Sequence, residues 1–287
     1  MPYLKYIFQK AKSNMENKIV TVIMPIYNDI DIIYNIVRKI LKLSEHNVII
    51  IDDCSSDGTY EFIDGYLKNN YIGYVKLFRN AINKGPSYCR NLGLYYSNSE
   101  YIAFLDSDDD WHPQKIKIQL EIMRKHNILI SGTNHKVISL NEILYYKNID
   151  YSDKFIPFYY IKWPYILFKS PFATPSVVIH KSLKTYLFNQ DIRYAEDFNL
   201  WVRIVHDNVA VKIDLPLTYT FKHDWLGKNT SLSANLVKMQ KGLNKGYFLI
   251  FKQYKNYPAD KLFIVIAILL AQLKFLRRIL IKWIKTQ

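Results

Sequence analysis

Residues 106–110 hold four aspartates around one serine, directly after an apolar stretch typical of a buried strand. So many carboxylates at the exit of a strand repel one another unless a cation lies among them. Hard divalent ions such as Mg²⁺ and Mn²⁺ take oxygen ligands and commonly keep coordination places for substrate phosphates. The pattern therefore favours metal–phosphate chemistry. The alternative is an acidic loop that caps the next helix, which accounts for Asp110 but not for Asp106 and Asp108.

Glu196 and Asp197 form a second acidic pair, at the start of a predicted helix over residues 196–206. A helix N-terminus stabilises anions, and this alone accounts for acidic residues there. The functional alternative is a general base, because a carboxylate with a raised pKa beside a desolvated pocket can take a proton from a sugar hydroxyl. Spacing alone leaves both interpretations open. His223 follows in the chain, where a lone histidine is more often structural than a ligand.

Two further polar segments follow predicted strands. Asp52 and Asp53 stand where a carboxylate can accept hydrogen bonds from a base or a ribose, although a capped turn explains them equally well. Residues 83–91 open a helix whose N–H groups and dipole favour anions, and Arg90 can pair with the acidic cluster or with a phosphate. An ordinary capped helix is the alternative for this second segment.

The elements that must position these residues alternate between strand and helix. Strands are predicted at 19–24, 48–51, 75–78, 101–105 and 174–179, and helices at 31–43, 59–67, 86–96, 113–126, 196–206 and from 238 onward. Residues 145–175, dense in aromatics and proline, predict an irregular, partly β region over the crevice. The alternation predicts an α/β fold with a parallel, doubly wound sheet whose polar clusters gather at one edge.

The net charge of +14 is concentrated at the two ends of the 287-residue chain. Basic ends beside apolar runs favour an anionic membrane surface over nucleic acid, so we expect no nucleic-acid binding. In helical projection, four cations form one stripe opposite an apolar arc that includes Trp283, a pattern typical of an interfacial helix. The cations are Lys274, Arg278, Lys282 and Lys285. Packing on the catalytic domain or on a second copy, as a homodimer, is the alternative.

The expected cellular location is inferred from targeting segments, transmembrane segments and cysteine usage. No signal peptide is recognised, and the apolar run at 262–273 is shorter than the roughly 20 residues of a transmembrane helix. Cys54 and Cys89 give no disulfide framework, which is usual for a reducing compartment. We therefore expect a cytoplasmic protein that is peripherally associated with the inner face of the cell membrane.

Five motifs, in order over residues 19–233, together resemble the family-2 inverting glycosyltransferases with the GT-A fold. They occupy residues 20–28, 51–59, 83–91, 104–111 and 195–197. The resemblance implies a Rossmann-like, mostly parallel central sheet flanked by helices, with a helical C-terminal extension. The domain division that we expect is a basic segment at 1–18, a catalytic domain at 19–235 and a basic amphipathic region at 236–287. Residues 19–112 would form the nucleotide-binding half of that domain, and residues 113–235 the acceptor-binding half.

The resemblance also implies roles on the donor side. Asp106-Ser107-Asp108 looks like the DxD motif, with Asp108 binding Mn²⁺ or Mg²⁺ and Asp106 contacting the metal or the ribose. His223 lies where some members place a metal or diphosphate contact. One of Asp52 and Asp53 would contact the base, usually uracil. The other donor contacts implied are Pro25, Tyr27, Asn28, Lys84, Gly85 and Arg90.

On the acceptor side, Asp197 looks like the catalytic base. Trp111, Thr174, Ser176 and Glu196 would lie beside the acceptor. The implied reaction moves a hexose or an N-acetylhexosamine from a UDP-sugar to a hydroxyl of a glycan or lipid-linked glycan. Inversion would give a β-linkage, in lipopolysaccharide or capsule synthesis. A non-catalytic nucleotide- or glycan-binding module on the same fold is the alternative function.

Overall fold

The structure, a computed structural model, describes residues 18–221, 236–254 and 257–286. Its strands are β1 (Val20–Ile26), β2 (Asn47–Asp52), β3 (Val75–Arg79), β4 (Tyr101–Phe104), β5 (Asp109–Trp111), β6 (Ile130–Val137), β7 (Phe158–Ile161), β8 (Val178–His180) and β9 (Ala210–Thr220). Its helices are α1 (Ile33–Lys42), α2 (Thr59–Asn69), α3 (Pro86–Tyr96), α4 (Lys115–Lys125), α5 (Leu140–Lys147), α6 (Tyr165–Phe168), α7 (Glu196–Asp207), α8 (Leu236–Gln253) and α9 (Pro258–Thr286).

Within the described residues the strands form one sheet in the order β3-β2-β1-β4-β8-β6-β9-β5, and β7 also pairs with β9. Strands β1 to β4 are mutually parallel, as are β6 and β9. Strand β8 runs antiparallel to both β4 and β6, and β5 and β7 run antiparallel to β9. The expected mostly parallel α/β sheet flanked by helices is confirmed, with three antiparallel strands inserted into it.

The first four strands form a part of the sheet whose two faces are both covered by helices. Strand β2 is buried along its whole length and reads as a continuous β-branched run, which is the composition of a strand without a solvent face. One apolar cluster contains Ile23 and Trp201, and the other contains Met24 and Ile36. Consecutive side chains of β1 therefore enter opposite cores, and the carboxyl ends of β1, β2 and β4 meet at one edge.

The prediction of a strand over 174–179 is wrong for its first half. Thr174–Ser176 is a 3₁₀ turn, and only Val178–His180 is a strand. Pro175 explains the difference, since proline has no N–H for a sheet and suits the first turn of a helix. The region expected to be irregular and partly β contains β7 and two helices, α5 and α6.

Helix α8 packs against α7, which carries the second acidic pair, and α9 packs against α8 and α6. Tyr247 and Ile250 of α8 and Ile264 of α9 share a buried cluster with Trp201 of α7. Helix α8 approaches closely at Gly242, where an added Cβ would lie 2.1 Å from the backbone oxygen of Tyr194. Because glycine has no Cβ, the two backbones can come this close, and the segment before α7 is in direct contact with α8.

Candidate functional site

The loops after β1 and β2 are joined by hydrogen bonds into one surface. Asn28, at φ 51°, donates its N–H to the Ser55 hydroxyl (2.9 Å) and accepts one from the Ser56 N–H (2.9 Å). Asp29 donates its N–H to the Thr59 hydroxyl (2.9 Å). These bonds leave the ring of Tyr27 half exposed at the edge of the sheet, where an aromatic face can stack on a nucleotide base.

In this structure the carboxylates of Asp52 and Asp53 contact other groups of the protein. Asp53 accepts hydrogen bonds from the N–H groups of Lys84 (2.9 Å) and Gly85 (2.7 Å). The anion at the start of α3 is therefore the carboxylate of Asp53. Asp52 is fully buried beside Arg79, at 3.5 Å. The expected base contact of one of these aspartates, and the donor contacts of Lys84 and Gly85, stay predictions.

The acidic loop after β4, defined as residues 106–110 and including the first two residues of β5, is compensated by cations from three helices. Asp106 pairs with Arg90 of α3 (2.7 Å). Asp110 pairs with Lys147 of α5. Lys39 of α1 lies buried beneath the loop and donates to the backbone oxygen of Ser107. The repulsion expected among these carboxylates is thus relieved in part by the protein, and Asp108 is the aspartate of the loop that stays exposed.

Arg90 joins the two acidic centres. The residue is 5% exposed, and its guanidinium group lies 5.4 Å from the centroid of the Phe188 ring and donates to Asp106 (2.7 Å) and Glu196 (3.1 Å). Of the partners expected for Arg90, acidic residues or a phosphate, the structure shows the acidic residues. The start of α7 therefore lies beside the DxD-like loop, although the two are separated by about ninety residues in the chain.

The carboxylates of Glu196 and Asp197 have different partners but a common environment. Asp197 accepts the Phe198 N–H (2.7 Å) and the Thr174 hydroxyl (3.3 Å). Burial, with the neighbouring Asp197, raises the pKa of Glu196 to about 7. Burial also raises the pKa of Asp197 above its ordinary value. A carboxyl group with a raised pKa is suited to accept a proton near neutral pH.

The residues expected beside the acceptor differ in accessibility. The Thr174 hydroxyl reaches Asp197, and Glu196 lies next to it. Trp111 is buried and its indole donates to the Pro175 carbonyl (2.7 Å). Ser176 is fully buried, and its hydroxyl donates to the Ala173 carbonyl (2.7 Å). Trp111 and Ser176 thus support the backbone around Thr174 from the protein interior. Their contact with an acceptor stays a prediction.

The donor set fits a divalent ion that is shared with a substrate. Within the described ranges no group of three or more His, Cys, Asp or Glu side chains is arranged to hold a metal. Asp108 is exposed, and Asp106 is only partly buried beside it. Mg²⁺ typically uses one or two carboxylates together with substrate phosphates, which is what these two aspartates can provide. His223, the other predicted ligand, lies outside the described residues.

The sequence interpretation missed Asp29 and Lys39. The Ser107 hydroxyl hydrogen-bonds to Asp29, and burial raises the pKa of Asp29 to about 6. A signal for Lys39 exists in the sequence, because it follows Ile36 by three residues and precedes Leu43 by four. That spacing places a lysine on the apolar stripe of α1, where a charge needs a partner.

Comparison with known proteins identifies the family of the chain. Residues 21–186 match the model of the family described as glycosyl transferase family 2. A UDP-Glc:alpha-D-GlcNAc-diphosphoundecaprenol beta-1,3-glucosyltransferase, WfgD of Escherichia coli, is 32% identical over 200 residues, covering 68% of this chain and 72% of that protein. An uncharacterized glycosyltransferase of Rickettsia felis is 34% identical over 211 residues, 72% of this chain. The chain spans about a third of the length of that Rickettsia relative.

Solved structures share the fold at lower identity. Residues 1–349 of S. aureus TarS with UDP-GlcNAc align with a TM-score of 0.59 and 18% identity, over 81% of this chain and 66% of that one. A mannosyltransferase from Pyrobaculum calidifontis, in complex with GDP-Man and Mn²⁺, aligns with a TM-score of 0.62 and 14% identity. That alignment covers 94% of this chain and 80% of the mannosyltransferase.

Proposed function

Because the chain belongs to glycosyl transferase family 2, we propose that it transfers a hexose or N-acetylhexosamine from a UDP-sugar to a glycan hydroxyl, with inversion. The observation that carries the proposal is the junction at Arg90, which brings the DxD-like loop and the Glu196-Asp197 pair into one site. One centre suits an anionic donor, and the other suits removal of a proton from an acceptor. A transferase needs both groups within reach of the same sugar carbon.

The relatives guide the choice of donor and acceptor. WfgD is named for transfer from UDP-Glc to alpha-D-GlcNAc-diphosphoundecaprenol through a beta-1,3 linkage, and TuaG of Bacillus subtilis is putatively assigned to teichuronic acid biosynthesis. We infer a UDP-sugar donor, a β-linked product and a glycan or lipid-linked glycan acceptor for this chain. Lipopolysaccharide or capsule synthesis is the process in which such a product would be used.

On this proposal the side chains divide the work as follows. Tyr27 offers a ring to the base, and Asp108, with Asp106, would hold Mn²⁺ or Mg²⁺. When bound, such an ion supplies positive charge against the developing charge of the leaving diphosphate. Asp197 takes the proton of the attacking hydroxyl, and the Thr174 hydroxyl orients that carboxylate. Arg90 keeps the two centres at a fixed separation.

Two substitutions separate donor binding from proton transfer. Asp197→Asn should keep donor binding and lower the transfer rate by roughly 10²–10⁴-fold, since the amide cannot act as a base. Asp108→Ala should abolish the metal-dependent stabilisation by UDP that a thermal-shift assay detects. Asp31→Ala, at an exposed aspartate before α1, is the matched control.

The results also discriminate between the candidate functions. Transfer by Asp197→Asn at the wild-type rate would exclude Asp197 as the base. If the wild-type chain binds UDP-sugars but neither transfers nor hydrolyses them with any acceptor of a glycan panel, the non-catalytic module is the better description.

We further propose that α9 lies on an anionic membrane surface. Ile264, Ala267 and Ala271 are buried against the domain, so the opposite side of the helix faces outward. That outward side carries exposed apolar side chains at spacings of four and three residues. They are Leu262, Ile266, Leu269, Leu273, Leu276 and Leu280. The stripe runs along most of a 29-residue helix, about 43 Å long at 1.5 Å per residue.

Charge favours a membrane over a second copy of the chain as the cover for this stripe. Arg277 and Arg278 are exposed, and residues 261–287 contain no acidic residue. Two copies of α9 packed together would juxtapose basic side chains without acidic partners, whereas anionic lipid headgroups complement them. Within the described residues no helix is both long and apolar enough to cross a bilayer.

Vesicle sedimentation tests this part of the proposal. The protein should bind vesicles that contain phosphatidylglycerol and should bind pure phosphatidylcholine much more weakly. Leu269→Asp combined with Leu276→Asp should remove the binding, while Phe155→Asp, at an exposed apolar residue outside α9, should not. A dimer that the double variant dissociates, together with no vesicle binding by the wild type, would assign the stripe to a second copy instead.

A further inference from the structure

Lys39 is a buried cation beneath an acidic surface. It belongs to the last turn of α1 and is 6% exposed. Its ammonium group donates to the backbone oxygen of Ser107, between Asp106 and Asp108. Burial lowers the pKa of Lys39 from its ordinary value, and the charges of the nearby carboxylates of Asp110, Asp108, Asp109 and Asp29 oppose that shift. A single ammonium group therefore lies near three of the four aspartates of the loop and near Asp29.

The other two cations near the loop have a narrower role. Arg90 contacts Asp106 at one end, and Lys147 contacts Asp110 at the other. Neither of these ion pairs includes Asp108, the exposed aspartate of the loop. Lys39 is buried and donates to the peptide oxygen of Ser107, the residue before Asp108, and the charge of Asp108 influences the pKa of Lys39. A divalent ion would interact with the same carboxylate from the solvent side, so the two cations compete for one negative potential.

We propose that Lys39 is a resident counter-cation of the acidic loop, a positioning residue that sets how strongly the loop binds a divalent ion. This inference rests on the proposed function, in which Asp108 holds the metal. The hydrogen bond to Ser107 fixes the peptide between the two aspartates, and the charge lowers the negative potential at Asp108. The loop thereby keeps its shape without an ion, and binds the ion less tightly than four unshielded aspartates would.

The charge and the hydrogen bond make different predictions, which three substitutions separate. Lys39→Arg keeps both, Lys39→Gln keeps a donor without the charge, and Lys39→Met removes both. Loss of the charge should increase Mn²⁺ affinity by about tenfold, the change that corresponds to a modest Coulomb term at a part-buried site. It should also weaken UDP binding without metal, since the loop then repels the diphosphate more strongly. A purely structural role predicts the opposite for the metal, because a disordered loop binds it less well.

The experiment measures binding in the full chain and does not depend on transfer. Free Mn²⁺ is followed by electron paramagnetic resonance during titration with and without UDP, and melting temperature confirms folding. We expect tighter Mn²⁺ binding by Lys39→Gln and Lys39→Met, and wild-type binding by Lys39→Arg. Unchanged or weaker binding by a folded Lys39→Gln protein overturns the inference, even where the wild type transfers sugar. A wild type that binds no Mn²⁺ overturns it as well, and a wild type that also fails to transfer contradicts the proposed function separately.

Discussion

The acidic loop after β4 and the acidic pair at the start of α7 are built from the same residue types in different surroundings. The loop has an exposed aspartate and cations from three helices around it. The pair is largely buried, and one guanidinium group contacts it. An exposed carboxylate with compensating cations nearby is placed to bind a divalent cation from the solvent. A carboxylate buried with one shared cation has a raised pKa and can exchange a proton.

Arg90 belongs to both centres, so its substitution should have the largest effect. Arg90→Lys retains a charge, but an ammonium group cannot match a planar group that reaches two carboxylates. We expect transfer to fall by at least about 100-fold, because both centres lose their alignment. Arg90→Met should in addition lower the free energy of unfolding by about 3–5 kcal/mol, since it leaves buried carboxylates unpaired. Transfer rates and urea unfolding provide the two measurements.

The control for Arg90 is Lys84→Met, at an exposed side chain near the start of the same helix, which should have little effect on stability. If Arg90→Lys keeps wild-type transfer, the two centres do not depend on a common cation, and the comparison between them loses its structural basis.

The pH dependence of stability should reveal the buried pair, and Asp109 of the loop, whose pKa burial also raises, contributes in the same direction. The pKa of Glu196 is raised by burial from about 4.5 to about 7 in the folded protein. Between these values the folded state binds more protons than the unfolded state, so its stability falls as pH rises through this window. We expect Glu196→Gln to remove part of that fall, on the order of 1–3 kcal/mol between pH 5 and pH 7.5.

Urea unfolding of wild type and Glu196→Gln at the two pH values tests the sign. Stability that rises from pH 5 to pH 7.5 in the wild type, and no longer does so in the variant, would reverse the assignment. A separate effect concerns Asp197, whose pKa burial also raises. If it is the base, transfer should decrease as pH falls through that raised pKa, because the base must be deprotonated.

The contrast between the acidic loop and the acidic pair of α7 also shows which contacts can be predicted from the sequence. The first four strands and the DxD-like loop are visible because β-branched runs end in polar clusters, and adjacent parallel strands bring those clusters to one edge. The pairing of β6 with β9 joins segments about eighty residues apart, and local periodicity carries no signal for it. The same holds for Arg90 with Glu196, whose charges are visible in the sequence but whose partner is chosen by the fold.

The partners of the buried charged side chains were the property of the site that the sequence predicted least well. Asp53 resembles a ligand-binding carboxylate in the sequence, yet it binds the backbone of Lys84 and Gly85 in the structure. Lys39 lies on the apolar stripe of α1, which indicates burial, yet nothing in the sequence identifies Ser107 as its partner. In both cases the side chain satisfies a neighbouring segment that is remote in the chain, so residue type alone could not assign the partner.

Substitution of Lys147 should have the smallest effect of these variants, in contrast to substitution of Arg90. It pairs with Asp110 at the edge of the loop, away from Glu196 and Asp197. Lys147→Met should lower the free energy of unfolding by about 1–2 kcal/mol, because a part-buried carboxylate loses its partner. Transfer should stay within about threefold of wild type, since Asp106 and Asp108 keep Arg90 and Lys39.

Urea unfolding and donor-saturated transfer rates measure both effects of Lys147→Met, with the exposed Lys154→Met as the control. A loss of transfer as large as that of Arg90→Lys would mean that the loop works as one electrostatic unit in which any cation is essential. The retention of activity that we expect would instead show that the centre of the loop is compensated independently of its edge. That independence is what would allow an exposed aspartate, the proposed metal ligand, to lie only a few residues from a buried ion pair.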